Sequence, residues 1–212
     1  NGARHIVCMS RHGKPKDSGD YTAETDKGTL EDSIYFMQGD VSCKEDLSEV
    51  LSTIQKNMPP LRGIFHAAGI IDDEMVLRQS WKQVEAVMAP KVAGTWQLHC
   101  QTRDIPLDFF VLFSAGAALT GGVGQSGYTA ANAYLDAFAA ERRAQGLPAT
   151  AIAWGPWADD GMAVNADNSI KRTLIRQGWQ WIKPEAGTQV LSLLLKNSPA
   201  HVGVLPIQWS RF

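Results

Sequence analysis

The 212-residue chain has little of what would place it in several broad classes at once. Its three cysteines, Cys8, Cys43 and Cys100, lie far apart and form no CxxC pair. A disulfide framework or a zinc knuckle is therefore not expected, no metal site is expected, and a reducing cytoplasm fits. Neither sign of charge dominates: 20 Lys and Arg stand against 22 Asp and Glu, a formal net charge of −2. That balance argues against a nucleic-acid clamp or a polybasic membrane anchor. No apolar run approaches the ~20 residues that span a bilayer. The opening Asn1-Gly2-Ala3-Arg4-His5 is not the basic-then-apolar pattern of a signal peptide. Repeats and low-complexity tracts are missing too.

What is present is a balanced globular composition, 44% hydrophobic and 20% charged. Short apolar runs alternate with longer periodic segments. Residues 4–10, 34–40, 62–67, 108–114, 149–154 and 201–206 read as strands. Residues 42–57, 80–103, 126–145 and 183–197 read as helices. Ser42 and Glu45 have capping-box spacing, and Pro184 suits a first helical turn. The strands are near-continuously apolar, which implies burial on both faces in a parallel sheet. The pattern predicts an α/β fold, a Rossmann-like doubly wound parallel sheet. Residues 13–31 and 158–169 read as surface loops. Asn1-Gly2 reads as the stop of a helix whose body does not precede it, so the chain is expected to lack the first β-strand, glycine-rich turn and helix of such a sheet.

In an open parallel sheet, ligands bind beyond the carboxyl ends of the strands. There the chain places Ser10-Arg11, Asp40-Val41, His66-Ala67-Ala68-Gly69, Ser114-Ala115-Gly116 and Gly155-Pro156-Trp157. Small residues at such points let a flat ligand approach the backbone. Arg11 could pair with a ribose 2′-phosphate or be a solvated surface charge. Asp40 could accept from an adenine amine or cap the following helix. A second cluster is Tyr128 and Asn132, which share a helix face at four-residue spacing downstream of Gly121-Gly122-Val123-Gly124. A nearby cation lowers a tyrosine pKa and suits its hydroxyl to proton donation; Lys91 is the candidate cation. Taken singly, such a Tyr is equally a core residue and such a Lys a solvated one.

Read together, the strings are more specific. His66-Ala-Ala-Gly69 with Ile71-Asp72-Asp73, Val111-Leu-Phe-Ser114, Gly124-Gln125, Tyr128-Thr-Ala-Ala-Asn132-Ala-Tyr-Leu-Asp136, Gly146-Leu-Pro-Ala149 and Ala153-Trp-Gly-Pro-Trp157 occur in order. The chain thereby resembles the ketoreductase domain of modular type I polyketide synthases, within the short-chain dehydrogenase/reductase superfamily. The resemblance weakens between Lys14 and Ser33 and after Met162. Asn132 four residues after the Tyr, with Lys91 on the earlier helix, is the polyketide arrangement.

The resemblance implies NADPH-dependent reduction of a β-ketone carried by a phosphopantetheine-tethered chain on an acyl carrier protein, amid neighbouring synthase domains. It implies that Tyr128 protonates the developing alkoxide, that Lys91 lowers the Tyr pKa and holds the nicotinamide ribose, and that Asn132 relays protons. Ser10, Arg11, Asp40, Val41, His66, Ala67, Ala68, Gly69, Lys91, Tyr128, Gly155 and Pro156 would meet the cofactor. Asp73, Gln125, Trp157 and Met162 would meet the substrate, the last two in a lid over residues 156–182 that includes a helix at 169–177. Residues 1–212, the lid included, would form an N-terminally incomplete catalytic subdomain. Ile71-Asp72-Asp73, with Thr120 where "A-type" members carry Trp, implies the "B-type", D-configured product; Asp72 and Asp73 could instead cap the next segment.

Two departures stand out. The family's catalytic Ser falls at Ala115, and Ser114 should point to the other face of its strand. No GxGxxG turn precedes the first strand, and that turn normally holds the pyrophosphate. An impaired or substituted reductase is one reading. A non-reducing structural domain that docks carrier protein is another, and epimerisation of an α-methyl group is a third.

Overall fold

The computed structural model describes residues 3–14, 33–159 and 168–212. In chain order its elements are β1 (His5–Ser10), β2 (Ser33–Gln38), α1 (Lys44–Asn57), β3 (Gly63–His66), α2 (Trp81–Met88), a π-helical turn (Ala89–Ala93), α3 (Gly94–Thr102), β4 (Phe109–Ala115), α4 (Ala117–Thr120), α5 (Ser126–Ala144), β5 (Thr150–Trp154), α6 (Asn168–Arg176), α7 (Pro184–Asn197) and β6 (His201–Val204). Each strand read from the apolar runs is present, and all pairings between these strands are parallel. The chain divides into two compact units, residues 1–62 with 93–106, and 63–92 with 107–212.

In the first unit β1 pairs with β2, His5 opposite Ser33 and Ser10 opposite Gln38. Helix α1 turns Leu47, Val50 and Ile54 inward at helical spacing. The capping box expected from Ser42 and Glu45 does not form. Cys43 is the N-cap and makes no side-chain cap bond. The Ser42 hydroxyl donates instead to Asp40 Oδ1 at 2.6 Å. Gln101 of α3 reaches back, its Nε2 donating to the Lys44 carbonyl at 3.1 Å.

In the second unit the strand order is β3-β4-β5-β6. Two-sided burial, expected of every strand, holds best in the middle of this sheet, where all five β5 residues are buried. Strand β1 alternates exposed and half-buried side chains, and Ile6 (43%) and Ile34 (41%) face solvent. Register puts Ala115 opposite Trp154, and Trp154 opposite Val204, so the carboxyl ends of three strands finish together. Val111, Ile152, Trp154 and Ile182 form the core that α7 covers with Val190, Leu191, Leu194 and Leu195.

The single helix expected over residues 80–103 is interrupted. Ser80 starts it well: its Oγ accepts from Gln83 N–H at 3.3 Å, and Gln83 Oε1 accepts from Ser80 N–H at 2.9 Å. Pro90 then sits in the helix interior, where it has no N–H for the ladder and its ring crowds the preceding turn. The chain relieves this by widening into the π-helical turn of Ala89–Ala93.

The expected lid helix is α6, whose bounds lie within one residue of the 169–177 reading. The ends of that segment are tied together: Ala158 N–H donates to Ile182 O, and Ile182 N–H to Pro156 O, both at 2.8 Å. Met162, the Asn1-Gly2 helix stop, and most of the 13–31 and 158–169 loops lie outside the described residues.

The Trp157 ring lies 4.9 Å from that of Trp154 and covers Gly187 in α7, where a Cβ would overlap it. Alanine is normally the better helix residue by ~0.5–1 kcal/mol, but overpacking a closed contact costs ~1–3 kcal/mol. Gly187→Ala should therefore lower unfolding stability in urea by about 1–2 kcal/mol, and an unchanged or raised midpoint would contradict this packing.

Candidate active site

At the end of β3, His66 is 3% exposed, and its Nε2 lies 3.0 Å from the Pro90 carbonyl. A carbonyl only accepts, so Nε2 carries the proton. The next residue along the π-helical turn, Lys91, is 2% exposed and donates from Nζ to the Phe113 carbonyl at 2.9 Å. Burial lowers the Lys91 pKa to about 8, against a smaller upward pull from the Asp136 carboxylate. Burial, then the Lys91 charge, depresses His66 to about 4, opposed by its bond to Pro90. At neutral pH the pair is therefore a neutral imidazole beside an ammonium.

Helix α5 presents Tyr128, Asn132 and Asp136 at four-residue spacing along one face. Asn132 is fully buried; its Nδ2 donates to the Tyr128 carbonyl at 2.8 Å. Its Oδ1 is buried with no hydrogen-bond partner among the described residues. Burial raises the Tyr128 pKa; Asn132 opposes the rise and Asp73 adds to it. This reverses the direction expected from a neighbouring cation. The Lys91 ammonium is directed at the Phe113 carbonyl, and the desolvation of the phenol outweighs the other influences.

Ser114 is 5% exposed and donates to the Asn132 carbonyl at 3.3 Å. Burial raises the pKa of the nearby Asp136 carboxyl, and Ser114, His201 and Lys91 pull it back down. His201 Nε2 stands 3.4 Å from Asp136 Oδ1. Ser114 is thus committed to α5. Ala115, next along β4, offers a methyl group at the strand end where the resemblance calls for a hydroxyl. Asp136 escaped the sequence reading, although its place on the Tyr128–Asn132 helical stripe was the signal that could have found it.

Beyond β3, Asp73 Oδ2 accepts from Gln125 Nε2 at 2.8 Å, and Glu74 N–H donates to the Gly124 carbonyl at 3.0 Å. These bonds join the loop after β3 to the loop before α5 and bring the two expected substrate contacts together near Tyr128. Burial raises the Asp73 pKa, Gln125 opposes the rise and Asp72 adds to it. Asp72 Oδ1 accepts from Gln83 Nε2 at 3.1 Å, which anchors the loop to α2.

The small residues at the strand ends divide in two. Ala67 and Ala68 are exposed and leave backbone open beside Gly69. Gly116 and Gly155 serve close packing instead. A Cβ on Gly116 would lie 2.8 Å from Leu205 Cδ2, and one on Gly155 2.9 Å from Pro206 Cδ. The Trp179 ring covers both glycines, a role its sequence position did not reveal. Pro156 is held by its carbonyl's bond from Ile182, and Trp157 packs inward, the alternative to touching an acyl chain.

In the first unit, Ser10 Oγ donates to the Gly13 carbonyl at 2.8 Å, closing a turn in which Gly13 takes a φ of +66°. Arg11 is exposed at that turn. Asp40 Oδ1 accepts from Ser42 N–H at 2.9 Å as well as from its hydroxyl. The Ser42 bonds hold the Asp40 carboxyl below its usual range, with a smaller contribution from the Arg11 charge. Asp40 thus shapes the turn before α1 without capping the helix, whose N-cap is Cys43; Val41 beside it is half-buried. Among the described residues, no group of three His, Cys, Asp or Glu side chains is placed to hold a metal ion, and no helix is long and apolar enough to cross a membrane.

The profile of the KR domain family matches residues 1–159. The chain is 40% identical over 171 residues to phthioceranic/hydroxyphthioceranic acid synthase of Mycobacterium tuberculosis, covering 80% of this chain and 8% of that protein. It is 36% identical over 206 residues to a mycocerosic acid synthase-like polyketide synthase of the same organism, covering 97% and 9%. An A-type ketoreductase from a modular polyketide synthase superposes with a TM-score of 0.85 at 35% identity, over 99% of this chain and 43% of that one. The first ketoreductase of the tylosin synthase superposes at 0.82 and 35% identity, over 100% and 45%. The chain thus spans less than a tenth of these curated relatives and under half of these solved chains.

The buried neutral imidazole has a consequence for stability. Unfolded, His66 titrates near the ordinary imidazole value of 6.5; folded, burial lowers it to about 4. The unfolded chain therefore binds the extra proton between those values. Stability from this group is fully present above about 6.5 and is lost as pH falls toward about 4, by on the order of 3 kcal/mol. Urea unfolding across that window should show a shallower acid slope for His66→Gln than for the parent, and equal slopes would refute the assignment.

Proposed function

The chain belongs to the KR domain family of polyketide synthases, and we propose that it is a reductase of β-ketoacyl chains carried on acyl carrier protein, with NADPH as reductant. Proteins of this family are oxidoreductases that work with a nicotinamide cofactor. The observation that carries the reading is Lys91: an ammonium 2% exposed, held by the Phe113 carbonyl of β4, in the same unit as Tyr128 and Asn132 on one face of α5.

The residues fit such a cofactor. Asn132 keeps a buried acceptor without a partner, and Ala67, Ala68 and Gly69 leave backbone open at the strand end. Together with Lys91 and Tyr128, these are the groups of the second unit that would meet the nicotinamide portion. By the family resemblance, Ser10, Arg11, Asp40 and Val41 would meet the adenosine portion, Arg11 giving the preference for a 2′-phosphate. When bound, the nicotinamide supplies the hydride. Tyr128 delivers a proton from its hydroxyl to the developing alkoxide, because burial keeps that hydroxyl protonated until charge develops beside it. Lys91 keeps positive charge close to that alkoxide. Asn132 Oδ1 accepts the next proton donor in the relay, and Asp73 with Gln125 borders the acyl chain. Residues 156–182 form the substrate lid of the catalytic subdomain, and neighbouring synthase domains are its partners. Ile71-Asp72-Asp73, with Thr120 in place of Trp, supports the B-type, D-configured product.

A second reading rests on Ala115. With Ser114 committed to α5, no hydroxyl at the end of β4 is available to a substrate carbonyl, which favours a domain that docks carrier protein without reducing its cargo. The two readings part on one substitution. In the full-length parent protein, Ala115→Ser should raise NADPH consumption with a β-ketoacyl thioester by ~10²–10³-fold. Chiral chromatography of the alcohol should return the D configuration. Tight NADPH binding with no gain in turnover would favour the docking reading, and an L product would overturn the B-type assignment.

A further inference from the structure

We infer that His66 is a positioning residue for Lys91: its Nε2–H holds the Pro90 carbonyl of the π-helical turn and so fixes the backbone from which Lys91 reaches the Phe113 carbonyl. In the reading above, His66 was one of the cofactor contacts; this inference rests on that reading for its activity arm but gives the residue another task.

Three observations carry it. The imidazole is 3% exposed, whereas Ala67 and Ala68 immediately after it are open. The ring is buried with its Nε2 against the Pro90 carbonyl of the π-helical turn. Next, the acceptor lies in the one turn of the α2–α3 helix that departs from α geometry, directly before Lys91. Proline forces that departure, and a widened turn loosens the ladder around it. A side-chain donor on a Pro90 carbonyl ties the turn to a strand. Finally, the two anchors of Lys91 sit on paired strands. His66 pairs with Leu112 across β3 and β4, and Phe113 follows Leu112. The β3–β4 register therefore sets the backbone anchor and the ammonium anchor in one frame, and the lysine side chain runs between two fixed points.

Chemistry explains why the donor is neutral. A charged group on Pro90 would stand beside the Lys91 ammonium in a buried setting, and like charges there repel. The carboxylate whose charge reaches Lys91 is Asp136, and His201 stands against that carboxylate. Histidine, as its Nε2–H tautomer, supplies a rigid donor without adding charge to that set.

The test separates this role from cofactor contact. In the full-length Ala115→Ser protein, His66→Phe keeps the ring volume and removes the donor; His66→Gln keeps a neutral donor. A misplacement of Lys91 should cost about 10²-fold in kcat for His66→Phe and move the pH–rate profile, and His66→Phe should add nothing to the defects in rate and NADPH affinity of Lys91→Met. His66→Gln should recover most of the rate and the profile. A further loss of NADPH affinity when His66→Phe is added to Lys91→Met would return the residue to the cofactor, and equal defects in His66→Phe and His66→Gln would reduce it to packing. A second readout needs no turnover. Nitrogen NMR of the parent protein should find His66 as the Nε2–H tautomer, and the Lys91 Nζ titration should shift in His66→Gln or His66→Phe, whichever folds. An Nδ1–H tautomer overturns the inference. Failure of Ala115→Ser to gain activity, with the tautomer as expected, would count against the reductase reading alone.

Discussion

A lysine ammonium at 2% exposure is the constraint around which the second unit is built. Removing such a charge from water costs several kcal/mol unless hydrogen bonds and opposite charge offset it. The Phe113 carbonyl takes one proton, and the Asp136 carboxylate lies close enough to pull the lysine pKa upward. Neither is an ordinary surface partner. A backbone carbonyl in β4 cannot swing away, and Asp136 stands on α5 with His201 Nε2 3.4 Å from its Oδ1. Rigidity on both sides is what allows a residue with four side-chain torsions to hold one position.

That constraint propagates outward. Strand β4 supplies the carbonyl of Phe113 on one side of the chain and the Ser114 hydroxyl toward α5. The hydroxyl grips the Asn132 carbonyl, and Asn132 in turn grips the Tyr128 carbonyl. One strand thus locates the lysine directly and the tyrosine through two hydrogen bonds. Because Ser114 holds the helix, it is not free to serve a ligand, and Ala115 marks the strand end with a methyl group. A hydroxyl held by α5 and a methyl group at the strand end therefore stand side by side on β4, without either disturbing the other.

Strands, the main helices and the parallel α/β class were legible because apolar runs and helical periodicity are local signals. Tyr128 with Asn132 was legible because the spacing of a helix stripe is written in the chain. What was not legible depends on neighbours distant in sequence. Ser42 left its capping box because Asp40 offered a shorter bond. Pro90 was visible, but its consequence was a wider turn and not a stop, since α3 continues beyond it. Gly116 and Gly155 looked like openings for a ligand, and only the fold revealed Trp179 lying over both. The direction of the Tyr128 pKa was misjudged for the same reason: proximity of a cation can be guessed from a motif, whereas burial cannot.

The contrast between the two kinds of small residue bears on how such sites should be read. A glycine at a strand end leaves either space for a ligand or space for another part of the chain, and composition does not distinguish them. Here the answer follows the sheet. At β3, which the loop of residues 70–75 leaves quickly, Ala67 and Ala68 stay open. Beyond β4 and β5, the chain returns through Trp179 and Leu205–Pro206 and fills the gaps. Covering those ends fixes the carboxyl edge of β4 against the carbonyl of Trp154, which accepts from Gly116 N–H at 2.7 Å. The packed glycines thus hold steady the end of β4, one residue beyond the carbonyl that takes the Lys91 ammonium and the hydroxyl that grips α5, while the alanines after β3 stay open.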